Sequence, residues 1–245
     1  MNIQKRLASI AIALAVLVIV LGAYTRLTDA GLACPDWPGC YGSLAIPHAD
    51  HVEQAAQRYP DSPLVPHKAR SEMVHRYLAG VLGCLIAALF ALSWRAGGRL
   101  RLLSGTLLAL VVGQATLGMW TVTLALHPLV VTTHLLGGFT ILTLLWLYRL
   151  ALARPSAPPR SHHGQGLPWL GSAACGVLLL QIALGGWTSA NYAAMACVEL
   201  PFCQGDWQDQ LRWEEAFHLP LGHTSYEFGV LSKEARQTIH IAHRL

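Results

Sequence analysis

Five long apolar runs separated by polar segments of very unequal length set the plan of this 245-residue chain. They lie near residues 7–26, 73–94, 102–126, 128–150 and 168–190. Each is long enough to cross a bilayer as a helix, which takes about 20 residues. A sixth begins near 236 and meets the end of the sequence at Leu245. Between the first and second runs, and again after the fifth, stand long polar loops; the remaining connections are short. Within the loops, residues 49–59 and 207–217 show helical spacing of apolar positions and predict short amphipathic helices lying over the membrane surface as lids.

Composition agrees with the pattern. Only 12% of residues are charged, against about 25% in a soluble domain, and mean hydropathy is +0.42. The formal charge of +4 reports topology and leaves no nucleic-acid footprint. All thirteen acids fall in 29–61, at Glu72, or in 199–234, whereas Lys5, Arg6, Arg95, Arg99, Arg101, Arg149, Arg154 and Arg160 lie in acid-free segments. Short basic segments stay in the cytoplasm, so the N-terminus is expected inside and both long loops outside. That is the topology of a multi-pass protein of a bacterial inner membrane. The first run is too long for a cleaved signal core of roughly 7–15 residues and no A-x-A site follows it, so it reads as a retained span.

The chain repeats itself. Leu21-Gly22-Ala23-Tyr24-Thr25, Leu117-Gly118-Met119-Trp120-Thr121 and Leu184-Gly185-Gly186-Trp187-Thr188 place an L-G-x-aromatic-T signature at the outer end of every outward-running helix. Gln114 and Gln181 stand four residues before their glycines. Cys34 and Cys40 recur 163 residues later as Cys197 and Cys203, and His75-Arg76 recurs 168 residues later as His243-Arg244. The expected fold is therefore all-α: a duplicated four-helix transmembrane bundle. Residues 1–152 would form the first unit, 153–168 a Pro- and Gly-rich cytoplasmic linker, and 169–245 a second unit whose last helices, seven and eight of the whole, are missing.

Candidate chemistry concentrates at the outer ends of the helices. Glu72, His75 and Arg76 share one helical face, with Ala79, Gly83 and Ala87 running on from the imidazole as a stripe of small side chains. His134 is followed by Gly137 and Gly138. Two histidines at matching depth, each beside a bare surface, suit a haem clamped between helices. Thr132, Thr133 or Gln114 could hold the second ring nitrogen, and Arg26 and Arg76 could meet propionates. The plainer alternative is helix–helix hydrogen bonding; for Glu72 it is a helix N-terminal acid, with Ser71 nearby as cap. His127 reads as a solvated turn residue, and His48, His51, His67, His162, His163, His218 and His223 as polar surface or linker. His240 shares a face with His243, but the repeat selects His243. Cys84 and Cys175 lie in apolar helices, whereas Cys34/Cys40 and Cys197/Cys203 are expected as local disulfides in exported loops.

Taken together, LGAYTRLTDAGLACPDWPGC from Leu21, EMVHRYLAG from Glu72, QATLGMWTV from Gln114, VVTTHLLGG from Val130 and IALGGWTSAN from Ile182 make the chain resemble the heme A synthase family over nearly its whole length. The resemblance implies an oxidoreductase of eight helices in two pseudo-symmetric halves that oxidises the C8 methyl of haem O by two hydroxylations to the formyl of haem A, for cytochrome oxidase. It implies that His75 and His134 line the substrate half, that Glu72 is essential, and that His243 is one of two histidines holding a haem b cofactor, the other falling in the absent helix eight. A haem O-producing farnesyltransferase and an electron acceptor are implied partners, with homo-oligomerisation open. On this reading the two histidines hold the substrate iron, and Glu72 accepts a proton or stabilises a cation beside the methyl. With both axial positions filled, oxidation would proceed by electron removal. Two rivals remain at this point: a quinone-linked membrane thiol-disulfide oxidoreductase using the outer cysteines, and a b-type electron-transfer cytochrome. Five residues between the paired cysteines favour a staple over the C-x-x-C geometry of a reactive thiol.

Overall fold

A computed structural model describes residues 2–45, 52–95, 97–153, 168–199, 203 and 206–245. Among these the protein is all-helical: α1 (Asn2–Leu27), α2 (Val52–Arg58), α3 (Pro66–Ser93), α4 (Gly98–Thr123), α5 (Pro128–Ala153), α6 (Pro168–Ala190), α7 (Trp213–Phe217) and α8 (Lys233–Arg244). Helices α1, α3, α4, α5 and α6 are long and apolar enough to span a membrane, matching the five runs read from the sequence. Helix α8 stands where the sixth run begins. The linker at 154–167, expected to be cytoplasmic and carrying His162 and His163, lies outside the described residues, as do His48 and His51.

Chain contacts divide the molecule into two compact units, Met1–Leu126 with Gly137–Pro155, and His127–Leu136 with Ser156–Leu245. In the first, α3 packs on both α1 and α4. Its core joins Ala8, Ala11 and Ala15 of α1 to Leu82, Ile86 and Leu89 of α3, Leu107 of α4, and Ile141, Leu145 and Tyr148 of α5. Lipid offers no hydrophobic drive for helices to associate, so close approach through small residues does that work. The alanines at 8, 11 and 15 form that face of α1. The large apolar side chains Ile10, Leu17, Val20, Leu102 and Val112 point outward, where a bilayer would receive them. Ala11 is fully buried, and Ala11→Leu is expected to cost about 1–3 kcal/mol by overpacking. Val112→Ala, on an exposed position, should leave the melting temperature in detergent within a degree or two of wild type, roughly a few tenths of a kcal/mol. The inner end of this core holds one polar cluster: Tyr148 and Ser93 share a hydrogen bond of 2.6 Å, and Ser93 donates to the Leu89 carbonyl.

The repeated signature has a structural meaning. Thr25, Thr121 and Thr188 return their hydroxyls to the carbonyls of Gly22, Gly118 and Leu184 at 2.7–2.8 Å. Their own carbonyls accept from the N–H five residues on, at Ala30, Leu126 and Ala193. The residue before each donor, Asp29, Ala125 or Tyr192, has φ near +50°. This is the Schellman arrangement, which satisfies the last carbonyls of a helix and turns the chain sharply. The same stop is used three times, without glycine at the left-handed position.

In the second unit α8 packs on α6 and α7. Ser232 caps α8 by accepting from the Ala235 N–H, and the Glu215 carboxylate of α7 accepts from the Ser232 N–H and hydroxyl, both at 2.9 Å. Trp187 of α6 donates to the Ala216 carbonyl at 2.8 Å. The lid helix expected at 207–217 is shorter, because residues 207–210 form turns and the Arg212 N–H is taken by the Thr238 hydroxyl of α8. The lid at 49–59 is helical over Val52–Arg58, and its first three residues lie outside the described ones.

Candidate functional site

Helix α3 starts at Pro66, whose ring favours the first helical position, behind Val65. Glu72 is therefore in the second turn. The reading of Glu72 as a helix-terminal acid capped near Ser71 is overturned by this earlier start. Its side chain is instead 7% exposed, with one carboxylate oxygen accepting from the Cys34 N–H at 2.9 Å and the other paired with the Arg76 guanidinium one turn along. A buried carboxylate needs such partners, because an unpaired charge out of water costs several kcal/mol.

Arg76 has a second task. Its Nη1 donates to the carbonyls of Asp36 at 2.9 Å and of Gly39. These lie inside the loop closed by the Cys34–Cys40 disulfide. The Asp36 carboxylate in turn accepts from the N–H groups of Tyr41 and Gly42 at 2.6 and 2.8 Å. The Tyr41 phenol is pushed up in pKa by burial, then by the charges of Glu72 and Asp36. Glu72, Arg76 and the disulfide loop thus form one clasp at the outer end of α3. Arg76→Ala removes its loop bonds and leaves Glu72 buried without a counter-charge, for an expected loss of about 3–5 kcal/mol. Faster amide exchange across 34–42 than in wild type is the corresponding measurement.

His75 sits on the neighbouring face. Its ring lies over Gly22 of α1, where a Cβ would come 2.9 Å from Cε1, and it faces the Val18 carbonyl. The ring's Nδ1 is buried without a hydrogen-bond partner. The stripe of small residues expected to flank it runs elsewhere: Gly83 lies beside Val111 of α4 and Ala87 is exposed. The bare surface against the imidazole comes from across the helix pair, at Gly22.

The second unit repeats this geometry. His243 lies over Gly185 of α6, where a Cβ would meet Cε1 at 3.1 Å, and its Nδ1 is also buried without a partner. Arg244 donates to the Cys197 carbonyl at 2.9 Å and the Glu199 carbonyl at 2.6 Å, inside the loop closed by Cys197–Cys203. Glu199 is the repeat partner of Asp36, so the same clasp is made twice. One member differs: His240 holds the position of Glu72, with its Nε2 at 2.9 Å from Arg244. Sequence reasoning passed over His240 and both glycines. The offset of 168 carries Glu72 onto His240, and the shared L-G signature marks the glycines. Gln181 donates to the His243 carbonyl at 2.9 Å, which gives one repeated glutamine a contact.

His134 belongs to the 127–136 stretch of the second unit and His75 to the first. The surface expected to lie bare at Gly137 and Gly138 is covered by the Gln114 side chain, with Ile19 also over Gly138. Thr133 is spent on the Leu129 carbonyl at 2.7 Å. Arg26 stands 4.0 Å from Asp29 with its side chain largely buried. His127 is partly buried and packs edge-on against Tyr226, with ring centroids 4.7 Å apart, so it is no simple solvated turn residue. Both outer cysteine pairs are disulfides, as expected, and Cys84 and Cys175 are free and exposed on membrane helices. Among the described residues no group of three His, Cys, Asp or Glu could hold a metal ion by itself. A single imidazole suits instead a metal that arrives inside a macrocycle supplying most of its ligands. The buried His243 Nδ1 without a hydrogen-bond partner is a donor atom that would fit such a metal, and Gly185 lets the ring pack directly against α6.

Residues 5–245 match the COX15-CtaA family, described as cytochrome oxidase assembly protein. A heme A synthase of Shewanella oneidensis is 47% identical over 241 residues, covering 98% of this chain and 73% of that protein. Heme A synthases of Beijerinckia indica and Shouchella clausii are 30% and 26% identical over 78% and 90% of this chain, and 59% and 70% of theirs. No solved structure matches.

Proposed function

Because the chain belongs to the COX15-CtaA family of cytochrome oxidase assembly proteins, we propose that it is a multi-pass membrane oxidoreductase converting haem O to haem A. The observation that carries this reading is the buried Glu72 carboxylate, fixed by the Cys34 N–H and Arg76 one turn from the glycine-seated His75. The substrate's C8 methyl is hydroxylated twice, water supplying each hydroxyl oxygen as two protons and two electrons leave, and the geminal diol loses water to leave the formyl. Each hydroxylation releases protons and electrons, so the site needs a proton acceptor and an electron path.

Glu72 takes the proton at one of its carboxylate oxygens, a role whose usual contribution is about 10²–10⁴-fold. The clasp holds that carboxylate to a fixed position, since both oxygens have partners supplied by the loop and by Arg76. His75 would hold the substrate iron, with His134 as a second candidate ligand, and Arg26 would serve a propionate. Arg76 is assigned mainly to the loop, given its bonds to Asp36 and Gly39. In the second unit His243 would hold a haem b, which would supply a one-electron store. Haem O would come from a farnesyl-transferring enzyme, and the electrons leave to an acceptor at the membrane. The N-terminus faces the cytoplasm and the disulfide loops face outward, on the charge distribution.

Expression in cells that make haem O but no haem A tests the assignment. Haem A is expected among the extracted pigments only when this protein is present. Haem O alone, with the protein folded in the membrane, would contradict it.

A further inference from the structure

We propose that Gly22 and Gly185 are positioning residues that seat the two haem-holding imidazoles, one in each unit; the proposal rests on the haem reading above. A Cβ added at Gly22 would lie 2.9 Å from Cε1 of His75 and 3.5 Å from both ring nitrogens. At Gly185 it would lie 3.1 Å from Cε1 of His243, 3.5 Å from Nε2 and 3.9 Å from Nδ1. Ordinary contact begins at 3.4 Å, so the His75 ring lies closer to Gly22 than a Cβ allows, and the His243 ring lies close enough to Gly185 that a Cβ would make it give by a few tenths of an ångström. The two glycines are repeat partners 163 residues apart, and the histidines are repeat partners too. The contact is therefore made twice, once in each copy of the repeat.

Among the described glycines, Gly137 and Gly186 are also closely approached, by the Gln114 amide and the Leu135 side chain, but only Gly22 and Gly185 carry an imidazole. At Gly80, Gly113, Gly171 and Gly176 a Cβ would meet nothing within 4 Å. A glycine inside a helix costs about 1 kcal/mol relative to alanine, which makes the paired choice at 22 and 185 an exception to propensity with a local cause. Each imidazole also has a buried Nδ1 without a hydrogen-bond partner, so the neighbouring helix constrains the ring through the glycine contact, joined at His75 by the Val18 carbonyl. An alanine would push the ring off its seat by several tenths of an ångström. Displacements near 1 Å at a reacting centre cost on the order of 10²-fold. The glycine acts through the histidine, which makes it a positioning residue.

The test uses the full protein in detergent with the haem it carries from the cell. Gly22→Ala is expected to shift the absorption bands and electron-paramagnetic signature of the substrate haem and to lower its retention about tenfold, a smaller step than a full 1 Å misplacement. Gly185→Ala should do the same to haem b alone, and Gly113→Ala should change neither. Wild-type spectra and haem content in both Gly22→Ala and Gly185→Ala would overturn the proposal. A wild-type protein that holds no haem would instead overturn the functional reading. The contact itself is then tested by a thermal double-mutant cycle: Gly22→Ala should destabilise the protein when His75 is present and not in the His75→Ala background. Equal losses in both backgrounds would sink it.

Discussion

Glu72→Gln should abolish haem A formation in a protein that still folds. The amide keeps the size of the side chain and can accept from the Cys34 N–H or from Arg76, but not from both as the carboxylate does. The stability cost should be about 1–3 kcal/mol, that of one unmet buried partner. The loss of product should be far larger, on the order of 10²-fold or more, because an amide cannot take a proton at neutral pH. Chromatography of extracted haems separates the two effects, with haem O accumulating at the expense of haem A and the protein level nearly unchanged. Normal haem A in Glu72→Gln would remove this carboxylate from the chemistry and leave it as the anchor of the disulfide loop.

The second large effect is a division of labour between equivalent histidines. His75→Ala should leave the protein unable to retain haem O or haem A while haem b remains. His243→Ala should show the reverse. The basis is that both rings have the same surroundings, a glycine floor and an unpartnered Nδ1, on the two copies of one clasp. What differs is the residue one turn before, Glu72 in the first unit and His240 in the second. Loss of the same haem in both variants would refute the assignment of His75 to the substrate haem and His243 to haem b. The converse exchange is informative as well: His240→Glu restores the acid on the second clasp, beside Arg244.

The spans were legible in the sequence because hydrophobic length is a one-dimensional property, and α1, α3, α4, α5 and α6 appear where the apolar runs predict them. The disulfides were legible from their spacing and their place in the loops. The repeat was legible as offsets, but its meaning was not. Nothing along the chain shows that Thr25, Thr121 and Thr188 accept a Schellman bond, since the left-handed residues are Asp29, Ala125 and Tyr192, which lack the usual glycine signal. Small residues near the histidines drew attention to Gly83 and Gly137, on the histidines' own helices, because helical spacing is all a sequence offers. Gly83 turned to Val111 and Gly137 to Gln114, while the glycines that meet His75 and His243 stand on partner helices. Arg76 was read as a propionate donor from its place at the membrane rim. Its bonds to Asp36 and Gly39 depend on how a loop some forty residues earlier folds back, and no local pattern encodes that.

The most direct test follows the identity of the haem in the purified full protein during turnover with an electron acceptor. The expected result is conversion of bound haem O to haem A, with haem b unchanged in amount and with no conversion in Glu72→Gln. Haem that cycles between oxidation states but never gains the formyl group would mark an electron-transfer cytochrome and contradict the assignment.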